Sequence, residues 1–236
     1  MSGRTDRFLC LSTDAQGYSR RNDLGQSQLQ ADLVRLLDMA ATAAGLRRAG
    51  WHRQASGDGE LAMLPPDEPE AAVLDGFVRA LAMLLFGNNQ DRRPDDRLRL
   101  RLAVDHGPVD PAANGYAGHT IVAVSRLVNA QASRVALTAS HADLAVVVSD
   151  RVYTDLVLGG RTAVTPPEFR RISVRDKEFA EHAWLRVPGV DVHRLDLGAD
   201  EPDAADPPGR RAEQHVVNRF VGRVDASGSV IGIRNG

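Results

Sequence analysis

An α+β fold, a mixed sheet with helices on one face, is predicted for this 236-residue chain by three observations. Stretches of period-two strand pattern alternate with long stretches of helical periodicity. One pair of strands is joined by a tight turn, and other strands are separated by segments long enough to be crossover helices. At 43% hydrophobic residues, the chain has enough apolar side chains for a substantial core.

The elements follow in order. Phe8 to Leu11 is a short apolar strand, and Ser12-Thr13-Asp14-Ala15-Gln16-Gly17 stops it and starts a turn. Leu29, Leu33, Leu36, Leu37, Ala40 and Ala44 recur at helical spacing, with Gly45 where a helix is capped. Trp51 to Leu64, interrupted by Gly57-Asp58-Gly59 and closed by Pro65-Pro66, predicts a hairpin with Asp58 at its tip. Val73, Phe77, Leu81, Leu84 and Leu85 mark a second helix. Leu98, Leu100, Leu102 and Val104 alternate with Arg97, Arg99, Arg101 and Ala103, which is a strand with one buried face. Ile121 to Ala132 predicts one helix, Leu144 to Val148 a buried strand, and Arg151 to Leu158 a short helix. Arg170 to Val174 and Ala183 to Val187 close the domain as a strand pair. The order βαββαβ, with extra C-terminal αβ units, is that of a ferredoxin-like sandwich. Residues 1–190 form this domain. Residues 191–212 are a linker, rich in Asp, Pro, Gly and Ala, and residues 213–236 a Gly/Val-rich β tail.

Several function classes are excluded by composition. Cys10 is the only cysteine, so neither an internal disulfide nor a cysteine zinc site can form, and a reducing, cytoplasmic setting fits. With 29 basic against 31 acidic residues, the chain lacks the net positive charge of a nucleic-acid binder. No apolar run reaches the ~18 to 20 residues of a membrane span, and residues 1–7 are too polar for a signal peptide. His106, His119, His141 and His182 stand apart, without metal-ligand spacing. There is no P-loop, nucleophile elbow or dinucleotide fingerprint.

What remains is a set of charged residues at strand ends. Asp14 ends the first strand and Asp58 tips the hairpin. Strands one and three are neighbours in a βαββαβ sheet, so the two carboxylates can meet and hold hard divalent cations. Aspartate before a turn is also common for conformational reasons alone. Gly17, in the loop Ala15 to Ser19, lets backbone N–H groups approach phosphate oxygens. Arg101 shares a sheet face with Arg97 and Arg99, an alternation equally suited to a solvated edge. Arg126 lies in an apolar helix, where it needs a partner or access to water. By pattern alone, Lys177 is an ordinary surface lysine.

Taken together, these residues resemble the class III nucleotidyl (adenylate/guanylate) cyclase catalytic domain, in a divergent actinobacterial branch, from Phe8 to about Val187. Asp14-Ala15-Gln16-Gly17-Tyr18-Ser19 resembles the first metal motif and Ser56-Gly57-Asp58-Gly59 the second. Leu100 to Gly107 is similar to the strand carrying a triphosphate-contacting arginine, here Arg101. Gly118 to Leu127 resembles the helix carrying the transition-state arginine, here Arg126, and Lys177 matches the late triphosphate lysine. The resemblance implies conversion of a nucleoside triphosphate to a 3′,5′-cyclic mononucleotide and pyrophosphate. It implies two Mg²⁺ or Mn²⁺ ions on Asp14, Asp58 and the Ala15 carbonyl, and a homodimer whose sites combine the metal residues of one copy with the arginine helix of the other. Two positions depart from the pattern. Val122 replaces the transition-state asparagine, and Gln54 replaces the adenine-reading lysine, its partner base contact falling near Gly115. Residues 218–236 are similar to short β motifs on actinobacterial defence proteins, which implies an effector partner; a plain Gly/Val-rich hairpin accounts for them as well. Two functions therefore stand as expectations: a cyclase in bacterial signalling or antiphage defence, and a catalytically weak or inactive cyclase-fold protein that binds nucleotide and acts through its tail.

Overall fold

The computed structural model describes residues 6–112, 115–176 and 178–198. Lys177, most of the expected linker and the whole expected tail fall outside the described residues. The sheet has the order β2-β3-β1-β4-β6-β8-β7. It comprises β1 (Asp6–Ala15), β2 (His52–Ser56), β3 (Gly59–Leu64), β4 (Leu100–Ala112), β6 (Leu144–Ser149), β7 (Arg170–Asp176) and β8 (Phe179–Arg186), and β5 (Gly115–Ala117) pairs with the far end of β4. The first four strands form the antiparallel ferredoxin-like core, with β1 between β3 and β4. β6 adds in parallel to β4, and the β7–β8 hairpin closes the other side.

Alternation along the strands sends side chains to two cores. Leu9 and Leu11 of β1 join Leu100, Leu102 and Val104 of β4 beneath α1 (Asp23–Ala43) and a compound helix. That helix runs from α2 (Glu70–Ala72) through a π turn (Val73–Phe77) into α3 (Val78–Asn89). Cys10, Ala103, Ala145 and Val147 point the other way, into a second core under α4 (His119–Leu127) and α5 (Gln131–Ser140). The sheet is thus covered on both faces, not on one as the sequence suggested. Parallel strands need a crossover that returns over a face. With the first face already taken by α1 and α3, the β4-to-β6 connection lies on the second. β6 is accordingly buried along its whole length, and it continues into α6 (Asp150–Val152), whose N-terminus is capped by Ser149.

The single helix expected over 121–132 is two helices. α4 ends at Leu127, and Ala130, extended at φ −51° and ψ 131°, starts α5 in a new direction. Apolar residues continue at helical spacing through the break, with Val124, Leu127, Val128, Ala132 and Ala136 all buried, so periodicity alone cannot reveal it. Packing also continues past residue 190: Val192 and Leu197 are buried in the second core, and Arg170 donates to the Leu195 carbonyl at 2.8 Å. Among the described residues, no helix is long and apolar enough to cross a membrane.

Candidate functional site

The site grows from one row of the sheet. In the ladder, Asp14 lies opposite Gly59 of β3 on one side and Arg101 of β4 on the other. A Cβ on Gly59 would fall 1.9 Å from the Thr13 carbonyl oxygen, so only glycine lets the hairpin approach this closely. The hairpin tip is then joined to the end of β1 by the Ala15 N–H, which donates to the Asp58 carbonyl at 2.7 Å. Gly17, in the left-handed region at φ 78°, swings the chain into a short turn over Tyr18–Arg20 and on to α1, which Asn22 caps by accepting from the Gly25 N–H. The Gln30 amide of α1 donates at 2.8 Å to both the Tyr18 hydroxyl and the Gly57 carbonyl, tying this loop to the hairpin.

Asp14 and Arg101 form an ion pair at the floor of the site. The Arg101 side chain is only 8% exposed, and its Nε and Nη1 are buried without a hydrogen-bond partner among the described residues. Burial pushes the Asp14 carboxyl above the usual carboxylate range; Arg101 opposes that shift, and the negative charge of Asp58 adds to it. The penalty of burial therefore outweighs the attraction of Arg101.

Above this pair opens a cleft of about 640 Å³, lined by Asp14, Asp58, Arg101 and the whole loop Ala15, Gln16, Gly17, Tyr18, Ser19. The structure thus brings together six of the residues singled out from sequence in the β1 loop and hairpin, with Arg101. Gln54 lines an adjoining cavity of about 490 Å³, which also reaches Asp14, Asp58 and Tyr116. Arg126 and Val122 are elsewhere. Arg126 is ion-paired with Asp176 at the end of β7, and Val122, one turn earlier on α4, is 50% exposed. Within one chain neither lines the Asp14 cleft. The opposite wall comes from α5, which sequence reasoning missed. Gln131, Arg134 and Thr138 face the cleft, and their i, i+3, i+7 spacing opposite buried Ala132, Ala136 and Leu137 was the available signal.

No cluster of three or more His, Cys, Asp or Glu side chains suited to a metal ion occurs among the described residues. Asp14 and Asp58 nevertheless offer two carboxylates in one cleft. Such a donor set fits Mg²⁺, which characteristically takes one or two carboxylates and completes its shell with water and phosphate oxygens.

No family model matches the sequence, and no curated protein matches it. Solved structures match the fold. The guanylyl cyclase Cya2 superposes with a TM-score of 0.55 at 14% identity, over 84% of this chain and 100% of that one. An adenylate/guanylate cyclase/hydrolase from Silicibacter pomeroyi gives 0.52 at 19% identity, over 78% and 99%. The guanylate cyclase domain of RhGC from Catenaria anguillulae, solved in complex with GTP, gives 0.50 at 14% identity, over 78% and 97%. The fold is that of class III adenylate/guanylate cyclase catalytic domains.

Proposed function

We propose that the protein is a metal-dependent nucleotidyl cyclase, converting a nucleoside triphosphate to a 3′,5′-cyclic mononucleotide and pyrophosphate in cytoplasmic signalling or defence. The observation that carries this reading is the convergence of Asp14, Asp58 and Arg101, from three different strands or turns, on one cleft in a cyclase fold. In the reaction, the ribose 3′-oxygen bonds to the α-phosphorus, the bond from that phosphorus to the β-phosphate bridging oxygen breaks, and the hydroxyl proton passes to solvent.

Asp14, Asp58 and the Ala15 carbonyl would hold two Mg²⁺ or Mn²⁺ ions. When bound, these ions lower the pKa of the attacking hydroxyl and offset triphosphate charge. Arg101, with two donors left over after its pairing with Asp14, turns them to the leaving pyrophosphate. The N–H groups of the Gly17 turn hold phosphate oxygens, flanked by Tyr18 and Ser19. Lys177 is proposed as a further phosphate contact. Arg126, facing away from the cleft of its own chain, stabilises charge at the α-phosphate of a second copy, so the working form is a homodimer with two equivalent sites. Gln54, at the rim of the adjoining cavity, contacts the base; with no lysine there, a pyrimidine is admitted as readily as adenine. Val122 supplies no hydrogen bond where an asparagine would, at a cost of about 3 kcal/mol or roughly a hundredfold in rate. Incubation with manganese and each of ATP, GTP, CTP and UTP should yield pyrophosphate and a cyclic product from at least one. Absence of product from every triphosphate, with either metal, overturns the proposal.

A second reading is favoured by one observation, the exposed apolar Val122 beside an Arg126 already occupied by Asp176. On this reading, the domain binds nucleotide without turnover and signals through residues 213–236 to an effector. Its test is a chain truncated before Glu213. Unchanged effector capture by that chain removes the tail from consideration.

A further inference from the structure

The cleft contains a cation that none of the motifs assigns. Arg134 lies on the exposed side of α5, across the opening from Arg101, and its Nη2 donates to the Asn129 side-chain carbonyl at 3.0 Å. That bond spans the α4–α5 break, so the turn missed from sequence also holds this guanidinium at the cleft wall. Arg134 is close enough to exert an electrostatic pull on Asp14. On the floor, Arg101 lines the same cleft and holds Nε and Nη1 buried and without a hydrogen-bond partner among the described residues. A buried guanidinium with two unmet donors is costly unless water or a ligand accepts from them. Both arginines address one cavity of about 640 Å³, bounded on a third side by the Gly17 turn.

We propose that Arg134 is a substrate-binding residue that, with Arg101 beneath it, grips the non-bridging phosphate oxygens of a polyphosphate chain, so that the phosphate subsite is built within a single protomer. The identification of that chain as a nucleoside triphosphate rests on the cyclase reading; the recognition of polyphosphate does not. The α5 wall thereby divides the labour of the site: phosphates are held in cis, and the arginine of α4 is left to act across a dimer.

The test is calorimetric titration of the full chain with inorganic triphosphate in the presence of magnesium, a probe that has no ribose and cannot cyclise. Because Arg134 is exposed, Arg134→Gln leaves the core intact. This variant should bind the probe about tenfold more weakly, as expected for loss of a charge-assisted contact. Arg134→Lys should recover part of that loss, retaining the charge but not the fork. Arg79→Gln, which removes the same charge from α3 on the opposite face, should bind as the wild type does. The proposal is overturned if Arg134→Gln binds normally, if Arg79→Gln is equally weakened, or if the wild-type chain does not bind the probe. The two readings fail separately. Arg134-dependent binding without cyclic product from any nucleotide keeps this subsite and removes the cyclase. Cyclic product with a KM for the nucleotide that Arg134→Gln leaves unchanged does the reverse.

Discussion

The two ends of the candidate machinery differ in how finished they are. At the β1–β4 end, Asp14, Asp58, Arg101 and the Gly17 loop are held by strand register, backbone hydrogen bonds and the Gln30 bridge, all within one chain. At the α4–β7 end, Arg126 is tied to Asp176 and its neighbour Val122 is open to solvent. One end is a preorganised cluster facing its own cleft; the other is a half-exposed helix face whose arginine does not line that cleft. A fold can bring Asp14, Arg101 and the Asp58 turn together by sheet geometry alone, because adjacent strands impose residue pairs. A helix face has no such register to impose and depends on what docks against it.

The largest effect should come from the finished end. Asp58→Ala removes a half-buried carboxylate without opening the core, and product formation in a pyrophosphate-release assay should drop by at least about a thousandfold. Residual activity close to wild type would break the comparison outright. Arg126→Ala should cost about a hundredfold, and mixing it with Asp58→Ala should restore part of the activity, because one heterodimer site retains both residues; no recovery on mixing would mean that Arg126 does not act across copies. Val122→Asn should act in the opposite direction, raising kcat by up to about a hundredfold through a restored transition-state hydrogen bond, with KM little changed. A smaller gain, about threefold in kcat, is expected from Asp176→Asn, which loosens the hold on Arg126.

The smallest effect is on stability. The Asp14 carboxyl is raised by burial, so its contribution to folding is full while it is protonated, below the ordinary carboxylate range, and is lost as pH rises through its raised value. Adding magnesium should offset that loss, with a thermal upshift of about 2 to 4 °C at neutral pH that shrinks in mild acid. A magnesium shift independent of pH would argue that the cation does not meet Asp14.

Much of the finished end was legible in the sequence because it is made of local signals. An aspartate closing an apolar run, another between two glycines at a hairpin tip, and an arginine alternating with leucines all survive as patterns over a few residues. The ion pair that joins Asp14 to Arg101 was not legible, because it depends on register between strands far apart in the chain. α5 escaped for another reason. Its buried side has one large apolar residue, Leu137, beside the small Ala132, Ser133 and Ala136, so its apolar signal is weak, and its start is concealed by uninterrupted helical spacing. Coverage of the second sheet face, the position of Arg134 and the Arg126–Asp176 pair all followed from that one helix and the β7–β8 hairpin, and all were hidden with it.

The Gln30 bridge has a mechanical consequence. One amide grips the Tyr18 hydroxyl and the Gly57 carbonyl together, so the loop after β1 and the turn after β2 cannot swing independently. The two carboxylates, placed by strand register and the Ala15–Asp58 backbone hydrogen bond, are thereby also braced from α1. A shift of α1 would thus be passed through one side chain to both segments at once, from outside the cleft.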